Sequence, residues 1–225
     1  MSKNPLHQGG VASNKLSKKK RIIFEIRRKL VHIFVGSFLS FLIYKDFFFL
    51  PICLFLIFGG IILAILIKKK IRIPIFNDFI ISFEREKEIK TIPMKGALFF
   101  LFGCLLSYLI FGWGLGLKKI AIASILTLAI GDSFVALYGI SFGKIKSPID
   151  YQKHFDATIF GVFFNTILIS SILHFPFLKV FLASFFALIG EIVIPFEKIE
   201  NTKFGFVFDD NIFLPLAFGF LLFLI

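Results

Sequence analysis

Cysteine, methionine and tryptophan are scarce in this chain of 225 residues, which contains two, two and one of them. The two cysteines, Cys53 and Cys104, form no CxxC pair and lie within apolar segments. We expect them to pack as small apolar groups, without a disulfide bond and without a bound metal ion. Charged residues make up only 18% of the chain, and no internal repeat or low-complexity array is present. These shortages leave apolar packing as the main source of structure.

A cleavable signal peptide is also missing. Charged residues at Glu25, Arg27, Arg28 and Lys29 interrupt the apolar run that follows the first basic cluster, and no small-residue cleavage site follows. We therefore expect 1–22 to remain as a basic, disordered cytoplasmic tail. No connection between apolar segments is long enough to form a soluble core, so we expect the remainder, 23–225, to be a single integral membrane domain.

Apolar residues dominate what is present. They account for 57% of the chain, 35 residues are phenylalanine, and the mean hydropathy is +0.90. Residues 47–67 and 96–117 are uncharged, and at about 1.5 Å per residue each is long enough to cross a hydrocarbon core of roughly 30 Å. The sequence therefore predicts an all-α, polytopic membrane protein with about seven transmembrane helices, the other candidates being 30–45, 119–140, 156–175, 177–196 and 211–225.

The basic residues predict the orientation of these helices. If the amino terminus is cytoplasmic, Lys45, Lys118, Lys119 and Lys179 are the only Lys and Arg residues placed outside, among 26 in the chain. The positive-inside rule then predicts that the other connections face the cytoplasm, as do all acidic residues except Asp46. Because the basic residues flank spans, we interpret the net charge of +12 as contact with anionic membrane lipids and expect no nucleic-acid partner.

A first polar group stands at the entrance to the first span. His32 follows Arg28 by four residues and Lys29 by three, so a helix places the three side chains on one face. There they could hold a phosphate. Anchoring at the membrane surface accounts for the basic side chains but not for His32, one turn into the apolar run.

A second polar group begins with Asp132, a carboxylate inside an apolar stretch, where a charge is costly. A glycine series commonly reflects helix packing alone. Combined with a carboxylate that suits Mg²⁺ and with a following lysine, however, glycines also permit close approach of phosphates to the backbone. The residues concerned are Gly131, Gly139, Gly143 and Lys144.

The remaining polar groups lie in the second half of the chain. Lys144, Lys146 and Lys153, with His154, Asp156 and Thr158, could complete an anion pocket around Asp132. Glu191 is again an acid inside a span, and a structural ion pair explains it about as well as contact with a metal or nucleotide.

The last group is Asp209, Asp210 and Asn211, close to the start of the final apolar run. A helix cap explains one of the three residues. Adjacent acids near the membrane repel one another unless a cation lies between them, and a divalent metal would meet that need.

The order of these motifs resembles the CTP-dependent polyprenol kinase family of membrane proteins, which includes dolichol, phytol and farnesol kinases and the CTP-dependent diacylglycerol kinase. The resemblance runs from about Glu25 to Pro215 and is distantly shared with phosphatidate cytidylyltransferase. It is carried by RKxxH, an FER-type charged loop before KGAL, GDSFVALYGISFGK, KHFDAT, a Glu embedded in an apolar span, and DDNIFLPL.

The resemblance implies an enzyme that transfers the γ-phosphoryl group of CTP, with Mg²⁺ or another divalent cation, to the hydroxyl of a lipid alcohol. It implies catalytic roles for His32, Asp132, Lys153, Asp209 and Asp210, with Asp132, Asp209 and Asp210 also holding the metal. Nucleotide or phosphate contacts are implied for Arg28, Lys29, Gly131, Gly139, Gly143, Lys144 and Asn211, while Glu191 and Asp156 are further candidates. The active site is expected at the cytoplasmic face of a prokaryotic membrane.

Three features keep alternatives open. Members of that family typically read Lys-Thr-x-Glu-Gly-Ser, whereas residues 153–158 of this chain are Lys-His-Phe-Asp-Ala-Thr. Asp in place of Glu shortens the side chain that carries the carboxylate, and Ala in place of Gly adds a methyl group. Phosphatidate cytidylyltransferases share the GD…A…G…GK piece, but their carboxy-terminal Lys-Asp…His-Gly-Gly…Asp-Arg run has no counterpart here. An ion-coupled transporter is a third interpretation, because such proteins also carry intramembrane acids.

Overall fold

The computed structural model describes residues 6–69, 71, 93–149, 153–194, 196 and 209–225, with side chains from Ile22 onward. The helices of the described residues are α1 Leu6–Tyr44, α2 Phe49–Lys68, α3 Lys95–Ser107, α4 Lys118–Leu126, α5 Asp132–Phe142, α6 Phe155–Leu173, α7 Phe177–Val193 and α8 Asp210–Leu224. Two helical segments have a wider, π-helical winding: Tyr108–Gly114 continues α3, and Thr127–Gly131 joins α4 to α5.

The prediction of an all-α, polytopic membrane protein is confirmed. Among the described residues, four helical segments are long and apolar enough to cross a membrane, and α8 is a shorter apolar helix. The four are α2, α6, Lys95–Gly114 and Lys118–Phe142. The candidate spans at 30–45 and 177–196 fall on α1 and α7, which are not among these four. The total of seven therefore stays a prediction.

Short connections and ion pairs define two ends of the bundle. The turns at 45–48, 115–117 and 174–176 each join consecutive helices through a few residues, which makes the joined helices antiparallel neighbours. Asp46 pairs with Lys118, so two of these turns lie at the same end, which we call the short-loop end. The starts of α3, α6 and α8 and the end of α7 lie at the opposite end, which we call the long-loop end.

The segment Lys118–Phe142 is the centre of the bundle. It packs against α1, α6 and α8, and 67% of its most apolar stretch is buried, compared with 17% in α2. Small side chains allow this close packing, since Ala121, Ala123 and Ala129 are fully buried. Asp132 therefore lies within the most enclosed of the four candidate spans that the structure describes.

The amino-terminal segment differs from its prediction. The first helix begins at Leu6, whereas 1–22 was expected to be disordered. No proline occurs between Pro5 and Pro51 to break the helix, and the segment contains several lysines and leucines, which favour helix. The division at residue 23 stays a prediction, and the charged FER loop lies outside the described residues.

Candidate active site

Residues from most of the predicted polar groups meet at the long-loop end of the bundle. We call them the polar cluster, and they come from five helices and one connection. Ion pairs between different elements join Lys29 to Asp132, Lys95 to Asp209, and Lys153 to both Glu191 and Asp210. The members are Glu25, Arg28, Lys29 and His32 of α1, Lys95 of α3, Asp132 of α5, Lys153 before α6, Glu191 of α7, and Asp209 with Asp210 and Asn211 at α8.

The first helix contributes a buried cation to Asp132. The Lys29 ammonium pairs with the Asp132 carboxylate, and the two side chains are only 5% and 15% exposed. One turn earlier, Arg28 donates to the Glu25 carboxylate through Nη2 at 2.8 Å and Nε at 3.1 Å. The π-helical segment Thr127–Gly131 ends directly before Asp132, and such segments often occur at functional sites.

Lys153 joins three elements of the cluster. Its Nζ donates to Glu191 Oε1 at 2.7 Å, to the Glu191 backbone oxygen at 3.3 Å and to Asp210 Oδ2 at 3.3 Å. Burial disfavours the charged ammonium, but the Glu191 and Asp210 carboxylates outweigh it and raise the pKa of Lys153. Lys153 therefore stays positively charged at neutral pH.

Backbone hydrogen bonds hold Lys153 in place. The Ser147 N–H donates to the Lys153 carbonyl at 2.9 Å, and the Phe155 N–H donates to the Ile145 carbonyl at 2.8 Å. These bonds fold the connection between α5 and α6 back on itself. The Asp156 carboxylate fastens the same connection by accepting the Lys144 N–H at 2.8 Å. Asp156 therefore stabilises the connection between α5 and α6. The Lys144 side chain is exposed.

The amino terminus of α8 presents two neighbouring carboxylates. Asp209 caps the helix by accepting the Asn211 N–H at 3.0 Å, and Lys95 Nζ lies 3.9 Å from its Oδ2. The Asn211 Nδ2 lies 2.7 Å from Asp209 Oδ1 and 3.3 Å from Asp210 Oδ1, so oxygens of both carboxylates converge on one atom. Burial and the neighbouring Asp210 charge raise the pKa of Asp209 to about 6.

His32 lies beside these charges without joining an ion pair. It is 5% exposed, and its ring stacks on Phe100 with 4.4 Å between the ring centres. Its Nδ1 is buried and has no hydrogen-bond partner among the described residues. Lys29, Arg28 and Asp210 are within electrostatic range of the ring. A buried, unpartnered ring nitrogen beside a charged cluster is available to bind or to accept a proton.

The predicted glycines serve helix packing. A Cβ added at Gly131 would lie 2.8 Å from Asn165 Oδ1, and one added at Gly139 would lie 3.2 Å from His154 Nδ1. At Gly143 it would lie 2.5 Å from the Cγ of His154. The space beside these glycines is therefore occupied by side chains of α6 and its cap. The expected contact of these glycines with phosphates stays a prediction.

A divalent cation has a partial donor set here. Among the described residues, no group of three or more His, Cys, Asp or Glu side chains is arranged to hold a metal. Of the three predicted ligands, Asp209 and Asp210 are adjacent, while Asp132 is paired with Lys29. Mg²⁺ usually binds one or two carboxylates and completes its shell with phosphate oxygens and water. The adjacent carboxylates of Asp209 and Asp210 match that number of protein ligands, while their Oδ1 atoms accept hydrogen bonds from the Asn211 amide.

Several polar contacts were not anticipated from the sequence. Lys95, at the first turn of α3, reaches Asp209, and its position before an apolar run was the available signal. In the bundle interior, Asn165 Nδ2 donates to Thr127 Oγ1 at 3.1 Å and to Ser184 Oγ at 3.0 Å. This bond network ties α6 and α7 to the π-helical segment that precedes Asp132.

Comparison with known proteins gives no relative. No protein-family model matches the chain, and no curated protein or solved structure matches it significantly.

Proposed function

We propose that this protein is a CTP-dependent lipid kinase that phosphorylates a membrane lipid alcohol, such as a polyprenol, a phytol-like isoprenoid alcohol or diacylglycerol. The observation that carries the proposal is the polar cluster, in which lysines and carboxylates from distant motifs meet at one end of an apolar helical bundle. Such a position allows a charged nucleotide and a lipid hydroxyl to meet. The choice of CTP rests on the motif resemblance.

The cations of the cluster supply charge neutralisation. Phosphoryl transfer depends mainly on positioning and on stabilising charge on the phosphate oxygens. Lys29 and Lys153 are held in place by ion pairs across the bundle, and Arg28 is fixed by Glu25 on the same helix. In the proposed reaction these side chains bind the triphosphate oxygens. Preorganisation of this kind reduces the reorganisation needed during transfer.

The carboxylates at α8 are the proposed metal ligands. Asp209 and Asp210 would hold Mg²⁺, and Asp132 could join them only by separating from Lys29. When bound, the metal neutralises charge on the triphosphate and orients the phosphate that is transferred.

His32 is the proposed acceptor of the hydroxyl proton. The carboxylates of the cluster are engaged by cations, whereas His32 Nδ1 has no partner among the described residues. As the lipid oxygen forms its bond to the γ-phosphorus, its proton passes to His32 Nδ1. The bond between the γ-phosphorus and the β,γ-bridging oxygen breaks, and CDP leaves. This assignment chooses His32 over a metal-free carboxylate.

The proposed orientation places the polar cluster at the cytoplasmic face of a prokaryotic membrane. Its support is the distribution of Lys and Arg, since among the described residues only Lys45, Lys118, Lys119 and Lys179 belong to the short-loop end. The basic connections at the long-loop end would then contact anionic lipid headgroups. The lipid alcohol would reach the cluster from the bilayer.

Position-specific labelling of CTP tests the activity. Purified protein is incubated with Mg²⁺, a panel of lipid alcohols and phosphatidate, and CTP labelled at either the γ- or the α-phosphorus. We expect γ-label, and no α-label, in a phosphorylated lipid. Recovery of α-label in a CDP-lipid, with release of pyrophosphate, would instead identify a phosphatidate cytidylyltransferase. The melting temperature of the protein in detergent tests the transporter interpretation. A melting temperature raised by a soluble solute with Na⁺, and by no nucleotide, would favour a transporter.

A further inference from the structure

The two carboxylates that contact Lys153 differ in distance and in exposure. Glu191 Oε1 is 2.7 Å from Lys153 Nζ, and the Glu191 side chain is 8% exposed. Asp210 Oδ2 is 3.3 Å away, and the Asp210 side chain is 40% exposed. The backbone oxygen of Glu191 adds a further contact at 3.3 Å. One partner is thus close and enclosed, and the other is more distant and open to solvent.

Building on the proposed function, we propose that Glu191 is a positioning residue that keeps hold of Lys153, while a nucleotide phosphate replaces Asp210. An ammonium has three N–H donors, and the Glu191 carboxylate and carbonyl together engage two of them. If Lys153 left Glu191, a buried carboxylate would lose its cation, which is costly. Asp210 is more exposed and can be hydrated after it leaves Lys153. Replacing Asp210 by a phosphate therefore requires less free energy than replacing Glu191.

This arrangement couples the metal ligands to phosphate binding. Asp210 contacts Lys153 through Oδ2 and approaches Asn211 through Oδ1, next to Asp209. If Asp210 turns its oxygens toward a divalent cation, Lys153 loses that contact. One N–H of the ammonium then becomes free to donate to a phosphate oxygen. Glu191 keeps the ammonium in place during this exchange. Metal binding at α8 thereby prepares Lys153 for the triphosphate.

A simple charge effect predicts something different. Removing the negative charge from either Glu191 or Asp210 should strengthen binding of any anion nearby, because each carboxylate repels it. Under our proposal the two substitutions act in opposite directions. Asp210→Asn weakens the contact with Lys153, because a neutral amide oxygen holds an ammonium less strongly than a carboxylate does. Glu191→Gln instead leaves Lys153 with Asp210 as the one carboxylate in contact among the described residues.

Calorimetric titration of the full-length protein in detergent with inorganic tripolyphosphate tests this difference, first in EDTA and then in Mg²⁺. In EDTA we expect Asp210→Asn to tighten binding and Glu191→Gln to weaken it, each by about tenfold. In Mg²⁺, Asp210→Asn should lose most of the affinity gained from the metal. Asp46→Asn is the matched control, since it removes a carboxylate that pairs with Lys118 at the short-loop end, and its affinity should equal that of the wild type.

Tighter binding by Glu191→Gln in EDTA would overturn the inference. If that variant does not elute as a folded protein on size exclusion, Glu191→Asp serves in its place, since it keeps the charge and shortens the reach to Lys153. Its affinity should fall below that of the wild type, and an equal or higher affinity would overturn the inference. Failure of the wild type to bind tripolyphosphate and CTP in either buffer would overturn the proposed function as well. Normal wild-type binding with the wrong sign at Glu191 overturns this inference alone.

Discussion

Lys29 and Asp132 form an ion pair between residues that are 103 positions apart in the chain. Both side chains are largely enclosed, and they lie on α1 and at the start of α5. The pair joins the first polar motif of the sequence to the second. It also gives Asp132 a cation partner, so the intramembrane carboxylate is compensated by the protein itself.

The first prediction concerns the substitution Asp132→Asn. The resemblance implies a catalytic role for Asp132, so this variant should lose phosphoryl transfer. The structure adds a cost, because the amide leaves the buried Lys29 ammonium without its counter-ion, and breaking such a pair costs about 3–5 kcal/mol. We therefore expect loss of transfer together with a lower melting temperature in detergent.

A double variant separates these two effects. Adding Lys29→Met to Asp132→Asn removes both charges, so most of the lost thermal stability should return while transfer stays absent. Near-wild-type turnover in Asp132→Asn would contradict the proposed role of Asp132. A double variant no more stable than the single one would contradict the energetic importance of the pair.

The sequence predicted the helices well because a long uncharged apolar stretch in a membrane can adopt few structures other than a helix. The stretches at 47–67 and 96–117 appear as α2 and as Lys95–Gly114, within two or three residues at each end. Composition alone decides such segments, since their unpaired backbone groups must be satisfied within the helix. The π-helical winding before Asp132 was not predictable, because it depends on how neighbouring helices pack.

The polar groups were identified individually, but their partners were not. Asp132 was expected to bind a metal, and the structure pairs it with Lys29. Glu191 was left between a structural ion pair and a ligand contact, and the structure places it on Lys153. Which cation meets which carboxylate depends on the relative rotation of helices far apart in sequence. Hydrophobic periodicity carries little of that information.

The second prediction concerns the proton acceptor. His32→Asn retains a polar side chain but removes the basic ring nitrogen, so we expect kcat to fall by about 100- to 10,000-fold. The KM for CTP should stay unchanged, because His32 makes no ion pair in the cluster. Steady-state kinetics with a saturating lipid alcohol measures both values. Phe100→Leu is the control, since it removes the stacked ring and keeps the imidazole. Full turnover in His32→Asn would reassign the base to a carboxylate.

The third prediction concerns orientation in the membrane. Lys119 and Lys146 are both exposed, and they belong to the short-loop and long-loop ends respectively. In intact cells, an impermeant maleimide should label Lys119→Cys, while Lys146→Cys should react only after permeabilisation. The native Cys53 and Cys104 are fully buried, so background labelling should be low. Labelling of Lys146→Cys in intact cells would reverse the proposed topology.

The fourth prediction concerns the glycine beside Lys144. A Cβ added at Gly143 would lie 2.4 Å from the Gly139 carbonyl oxygen and 2.5 Å from the Cγ and Cδ2 of His154, which is too close without movement of the backbone at the end of α5 and of His154. We expect Gly143→Ala to lower stability by about 1–3 kcal/mol, as overpacking does elsewhere. The readout is the melting temperature of the purified protein in detergent.

Gly59 in α2 supplies the matched control for that substitution. Nothing lies within 4 Å of a Cβ added there, so Gly59→Ala should cause no loss of stability. A small gain is expected, because alanine favours helix over glycine by about 1 kcal/mol. If Gly143→Ala kept wild-type stability and lost only nucleotide affinity, the glycine would serve phosphate binding, and the packing role that His154 indicates would be wrong.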